Sequence, residues 1–200
     1  VVGMSVPYGG RMKTAPLQTW QQAMGDNFFY ILYHNEAGGV AEKEYDSDPR
    51  GLLSMLYASP DSPREDATIT DPKRSAGGWI GRIGAPTEMP AWLKQEELDY
   101  YVDEFTRAGF RGGVNYYRNF DANWHFMEGK DPVIQIPSAF ISGAADVVIG
   151  GADVAGLTAM MTPVMHDLRE VTLIPEIGHW VQQEAPKETN DAILRFIKSL

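Results

Sequence analysis

Apolar positions recur at helical spacing through the middle of the chain and give way to short apolar runs near both ends. Residues 1–6 (Val-Val-Gly-Met-Ser-Val) read as a short buried strand stopped by the turn cluster Pro7-Tyr8-Gly9-Gly10. Helices are predicted over 17–24, 36–44 and 49–58. The third has Pro49 in its first turn and Asp46 or Asp48 as its cap. Residues 59–92 lose the period and are rich in Pro and Gly, yet Trp79, Ile80 and Ile83 can anchor them, so they read as an ordered, lid-type loop. An amphipathic helix over 94–108 places Leu98, Tyr101, Val102 and Phe105 on one face and stops at Gly109. A further helix spans about 112–122.

After Asp131-Pro132 the character changes. Ser138–Ser142 is a strand, 150–162 a helix of small residues, 170–174 a second strand and 184–200 a closing helix with Ile193, Phe196, Ile197 and Leu200 on one face. Alternation of strand and helix is the signature of a parallel α/β sheet. The economical architecture is a helical cap over 12–130, inserted between a core strand at 1–11 and a core portion at 131–200.

Composition narrows the function classes. A net charge of −10 argues against nucleic acid and against anionic lipid, because phosphate binding needs clustered Lys and Arg. The absence of cysteine excludes disulfides, thiolate catalysis and Cys-ligated zinc. No apolar run approaches the ~18 residues of a membrane span, and the first residues carry no signal-peptide pattern. The expected location is the cytoplasm. An apolar run at residue 1 is expected to follow further polypeptide upstream.

Two constellations carry chemistry. Asp146 follows the strand 138–142 in Gly143-Ala144-Ala145-Asp146, and His179 follows the strand 170–174 in Ile177-Gly178-His179-Trp180. In a parallel sheet, loops after the carboxyl ends of strands gather at one edge, where ligands bind. An aspartate that accepts an imidazole N–H fixes the tautomer, so the other nitrogen can take a proton from water. The second constellation is aromatic: Phe28-Phe29-Tyr30-Ile31-Leu32-Tyr33 and Asn115-Tyr116-Tyr117-Arg118-Asn119. Taken singly, such tyrosines are more often packing groups.

Together these segments resemble the soluble epoxide hydrolases, a family of α/β-hydrolases. Phe29-Tyr30-x-x-Tyr33 followed by Gly39-Val40-Ala41-Glu42 is similar to the start of that family's cap. Asn115-x-Tyr117-Arg118-Asn119 with Asn123-Trp124 is similar to its second tyrosine motif, and Ile136-Pro137, Asp146 and Gly178-His179-Trp180 follow in the family's order. The resemblance covers almost the whole chain. It implies the C-terminal part of an α/β-hydrolase sheet with an inserted helical cap, acting without cofactor or metal on a small-molecule epoxide. It implies Tyr30 and Tyr117 as the phenols that assist ring opening, His179 as the base and Asp146 as the acid behind it, with Tyr33 and Tyr116 as packing residues.

The family's attacking aspartate stands on an elbow ahead of the cap, and its His-Gly-x-Pro loop stands earlier still. Neither is in this sequence, so no nucleophile is assigned. The chain is expected to be inactive without the N-terminal segment of the same protein; a homodimer is a further possible partner. The nearest enzymatic rival is a haloalkane-type dehalogenase, with Trp20, Trp79, Trp92, Trp124 and Trp180 as candidate halide donors. A non-catalytic ligand-binding protein on the same scaffold is the other.

Overall fold

The computed structural model describes residues Val1–Leu200. They form two compact units, Met12–Glu128 and Val1–Arg11 with Gly129–Leu200.

The 12–128 unit is helical. Helix α1 (Pro16–Met24) opens on a proline, α2 (Tyr30–His34) is a short turn, and α3 (Val40–Ser47) starts later than the apolar period suggests. The cause is local: Gly38 and Gly39 take left-handed φ of 82° and 68°, which breaks any helix running through them. Helix α4 (Pro49–Tyr57) is capped by Asp48, whose side chain accepts from Gly51 N at 2.9 Å. Asp46 instead accepts from Phe110 N, 64 residues away. Helix α5 (Gln95–Ala108) is closed at its start by Lys94 N donating to Glu97 and at its end by Gly109, φ 71°. The single helix expected over 112–122 is two, α6 (Arg111–Arg118) and α7 (Phe120–Phe126), broken at Asn119 where ψ falls to 0°. The core is Tyr33, Tyr45, Leu52, Leu53, Leu98 and Phe110 with their neighbours.

Residues 59–92 carry only two tight helical turns, Arg74–Ala76 and Ile80–Arg82. Backbone bonds Glu65 N to Ala85 O and Ile69 N to Gly81 O fold the segment back on itself. Both oxygens of Glu44 on α3 accept from it, at Trp79 N and Ile80 N. Its backbone polar groups thus find partners without regular structure.

The other unit is a parallel three-stranded sheet in the order β1 (Val2–Met4), β2 (Ser138–Gly143), β3 (Leu168–Ile174). Val2 pairs with Ala139, and Gly143 with Ile174. Alternate residues of β2 serve opposite faces. Phe140 packs with Ile149, Leu157, Met161 and Met165, while Ile141 packs with Ile174, Val181, Ala185 and Ala192. Helix α8 (Val154–Met161) therefore covers one face, and α9 (Val181–Glu184) and α10 (Pro186–Lys198) cover the other. Strand β2 is buried throughout, but β1 is not the buried strand its composition suggests. It has one neighbour in this sheet, and Met4 is 41% exposed.

Helix α8 starts four residues late because Gly150 and Gly151 are left-handed, and Asp153 supplies the cap through Gly156 N. The closing helix starts at Pro186, with Ala185 before it outside the helical region at φ −135° and ψ 62°, since a proline disfavours helical backbone in its predecessor. No helix is long and apolar enough to cross a membrane.

Candidate active site

Asp146 and His179 come from the turns that follow β2 and β3. Adjacent parallel strands bring those two turns side by side, and Nδ1 of His179 lies 2.9 Å from Oδ2 of Asp146. The other carboxylate oxygen accepts from Val148 N at 2.9 Å. Both oxygens of the buried carboxyl group are thereby engaged, so neither is left without a partner. With Asp146 accepting from Nδ1–H, Nε2 is the acceptor nitrogen of the ring, the arrangement a base needs in order to take a proton from water.

The His179 turn is held on three sides. Glu184, at the end of α9, accepts from Gly178 N and Trp180 N, both at 2.9 Å, so one carboxylate grips the backbone on either side of the histidine. Ser5 Oγ donates to His179 O at 2.5 Å. Gly143 closes β2 directly beneath, and a Cβ there would stand 2.0 Å from Ile177 O.

Tyr30 opens α2 and Tyr117 lies near the end of α6. Their rings meet edge to face, with centroids 5.5 Å apart at 83°. Trp79 stacks on Tyr30 at 4.9 Å and 14°. The two helices are tied by hydrogen bonds from Arg118 and Asn35, and Arg118 is itself anchored by an ion pair to α3. Arg118 makes a two-pronged pair with Glu42 and donates Nε to the carbonyl of His34 at 2.9 Å. The Arg118 hydrogen bonds hold the Glu42 carboxyl below the usual carboxylate range. Asn35 Nδ2 adds bonds to Ile31 O and Tyr117 O. Burial pushes the Tyr117 phenol up, so it remains a proton donor at neutral pH.

Tyr33 is a core residue, and burial followed by the neighbouring Glu44 carboxylate raises its phenol well above the ordinary value. Tyr116 does not pack: it is 81% exposed, because α6 turns that side to solvent. Two of the tryptophan N–H groups are already committed, Trp92 to Ser59 Oγ and Trp124 to Met12 O. No group of three His, Cys, Asp or Glu side chains is placed to hold a metal ion.

Several of these partners were invisible to sequence reasoning. Glu42 and Arg118 stand inside the quoted motifs, but nothing local links charges 76 residues apart. Glu184 and Ser5 hold the histidine turn through backbone groups, which no side-chain pattern reveals. His34, between the tyrosine motif and the glycines, carried no signal at all.

No protein-family model matches the chain. Among curated proteins it is 39% identical to "Epoxide hydrolase A" of Mycobacterium tuberculosis over 204 residues, covering all of this chain and 61% of that protein. It is 31% identical to "Epoxide hydrolase B" of the same organism, again over its whole length and 65% of the relative. The crystal structure of epoxide hydrolase A from Mycobacterium thermoresistibile superposes on 99% of the chain with a TM-score of 0.80 at 38% identity, using 61% of that chain. An epoxide hydrolase from an endophytic Streptomyces gives 0.83 at 29% identity, covering 99% of this chain and 60% of that one. The chain thus spans less than two thirds of the length of the relatives it matches. A parallel sheet faced by helices, four motifs in the family's order and this likeness together place the chain in the epoxide hydrolase family of α/β-hydrolases.

Proposed function

We propose that these residues serve the hydrolysis of an epoxide to a vicinal diol through a covalent ester. A carboxylate attacks one epoxide carbon, forms a C–O bond and breaks the ring bond on that carbon. Negative charge develops on the departing oxygen, which takes a proton from a phenol. Tyr30 and Tyr117 are the donors. A neutral phenol, with an ordinary pKa of about 10, is protonated at working pH and becomes a stronger donor as alkoxide charge grows. Two such donors do the work of a metal without one.

His179 then removes a proton from water, and the resulting hydroxide attacks the ester carbonyl. The tetrahedral adduct collapses to diol and carboxylate, and the cycle closes when the imidazolium gives up to solvent the proton it took from water and the phenolate regains from solvent the one it gave to the epoxide oxygen. Asp146 holds the imidazole in the needed tautomer and balances the charge of the imidazolium. The attacking carboxylate itself is assigned to no residue of this chain, so turnover belongs to a polypeptide of its relatives' full length that contains these 200 residues.

The observation that carries this reading is the edge-to-face pair Tyr30–Tyr117 on two helices locked together by Arg118. A dehalogenase would instead need free indole donors for halide. The test offers that full-length protein an aryl epoxide and a bromoalkane. Diol from the first is expected; halide release from the second without diol would reverse the assignment, and neither product would favour a binding protein.

A further inference from the structure

His34 takes no part in the chemistry above, yet its imidazole meets both phenols. Its ring centroid lies 4.5 Å from that of Tyr117 and 5.6 Å from that of Tyr30. Trp79, which stacks on Tyr30, is 5.7 Å away. Nε2 is 2.8 Å from the Tyr45 hydroxyl, and the His34 backbone carbonyl is the acceptor for Arg118 Nε. The residue is 3% exposed, and Nδ1 has no hydrogen-bond partner.

The tautomer follows from counting unpaired groups. The Tyr45 phenol stays protonated, since burial first and the Glu44 carboxylate second push it well above its ordinary value. With Tyr45 as donor, Nε2 accepts, Nδ1 carries the proton and one buried N–H goes unpaired. The reverse arrangement strands two groups, the phenol proton and the Nδ1 lone pair, and is the costlier one. Even the better arrangement leaves one buried N–H unpaired, an expense a ring that only filled space would not need, and a phenylalanine here would in turn take away the Tyr45 hydroxyl's partner. That expense falls against the two phenols.

We propose that His34 is a positioning residue for the Tyr30–Tyr117 pair: its bond to Tyr45 sets the rotation of the imidazole, and the imidazole sets where the two phenol rings rest. The inference rests on the reading of those tyrosines as proton donors. The groups facing the imidazole are Tyr45 and Glu42 from α3, Tyr117 and Arg118 from α6, and Tyr30 from its own helix. Burial, reinforced by Arg118, lowers its pKa to about 4, so a neutral ring abuts the donors throughout the working range.

The test uses Tyr45→Phe and His34→Phe in the full-length protein. Tyr45→Phe keeps the ring and removes only the donor that orients the imidazole. The single-turnover rate of ring opening is expected to fall ~10-fold in each variant, since small misplacements of reacting groups cost this much or more. Substrate affinity should change less than about twofold, because ground-state contacts are kept. The double variant should be no slower than His34→Phe, as expected of residues acting as one unit. Unchanged ring opening in folded variants overturns the proposal, and so does a loss confined to substrate affinity. If His34→Phe fails to fold, Tyr45→Phe alone decides. Tyr30→Phe and Tyr117→Phe run alongside. If they leave ring opening intact, the donor assignment fails and this inference with it; if they abolish it while Tyr45→Phe does not slow it, only the positioning role falls.

Discussion

Nδ1 of His179 lies 2.9 Å from Oδ2 of Asp146, and the carboxylate side chain is wholly buried while the imidazole side chain is 37% exposed. One partner is fixed by its surroundings and the other reaches towards solvent. The backbone N–H of Val148 occupies the second carboxylate oxygen, so Asp146 is not free to turn away. The pair is therefore built to hold one nitrogen and offer the other.

His179→Gln in the full-length protein should trap the covalent ester. Attack on the epoxide needs no base, whereas release of the diol does. Intact mass measured after adding epoxide should show the protein plus one substrate; an unmodified mass would count against the two-step scheme. Asp146→Asn should lower turnover by ~100-fold or more, because a carboxamide can favour the wrong tautomer.

Replacing both Tyr30 and Tyr117 by Phe should suppress ring opening by ~100-fold or more, the size of effect lost with a general acid. Either single change should leave partial activity, since one phenol can still protonate the oxygen. Rapid-quench measurement of the first turnover separates this from slow ester hydrolysis, and near-normal ring opening in the double variant would refute the assignment.

Gly143→Ala should loosen the histidine turn. The added methyl would stand 2.0 Å from Ile177 O and 2.3 Å from Gly178 O, both backbone atoms of the loop that carries His179. Overpacking of this kind costs about 1–3 kcal/mol or more. The thermal midpoint should drop by several degrees, with a larger loss in ester hydrolysis than in ring opening, because the strain falls beside the base.

His34 makes stability depend on pH. Its pKa is 6.5 when unperturbed and about 4 in the fold, chiefly through burial. Below pH 6.5 the unfolded chain binds a proton that the folded chain refuses, so the stabilisation is complete above that pH and is lost as pH falls towards 4. The full effect is on the order of 3 kcal/mol. Urea midpoints at pH 7 and pH 4.5 should differ less in His34→Phe than in the parent; equal slopes would mean that His34 is protonated in the folded state.

Much of this molecule could be read along the chain. The glycine at 109 and the proline at 186 mark helix ends wherever the chain is cut, because φ preference and a missing N–H are properties of single residues. The face Leu98, Tyr101, Val102 and Phe105 is a property of one helix. The order of strands and helices could be set down for the same reason, and Asp146 and His179 could be sought in the turns after two strands, whereas Tyr30 and Tyr117 were singled out only by the resemblance of their motifs to those of the epoxide hydrolases. The breaks at Gly38-Gly39 and at Asn119 were missed because helical period alone says nothing about where a backbone turns left-handed or stalls at ψ near 0°.

What only the tertiary structure decided is which distant groups meet. Glu42 finds Arg118, Asp46 finds Phe110 N and Glu184 closes around the His179 turn, and each choice depends on which helices and strands lie side by side. His34 is the sharpest case. Its neighbours in sequence gave no reason to single it out, and its importance comes entirely from Tyr45, Tyr117 and Tyr30 converging on one buried ring. Local preferences are written residue by residue, whereas the partner of a buried polar atom is settled only when the chain closes around it and water is no longer there to serve instead.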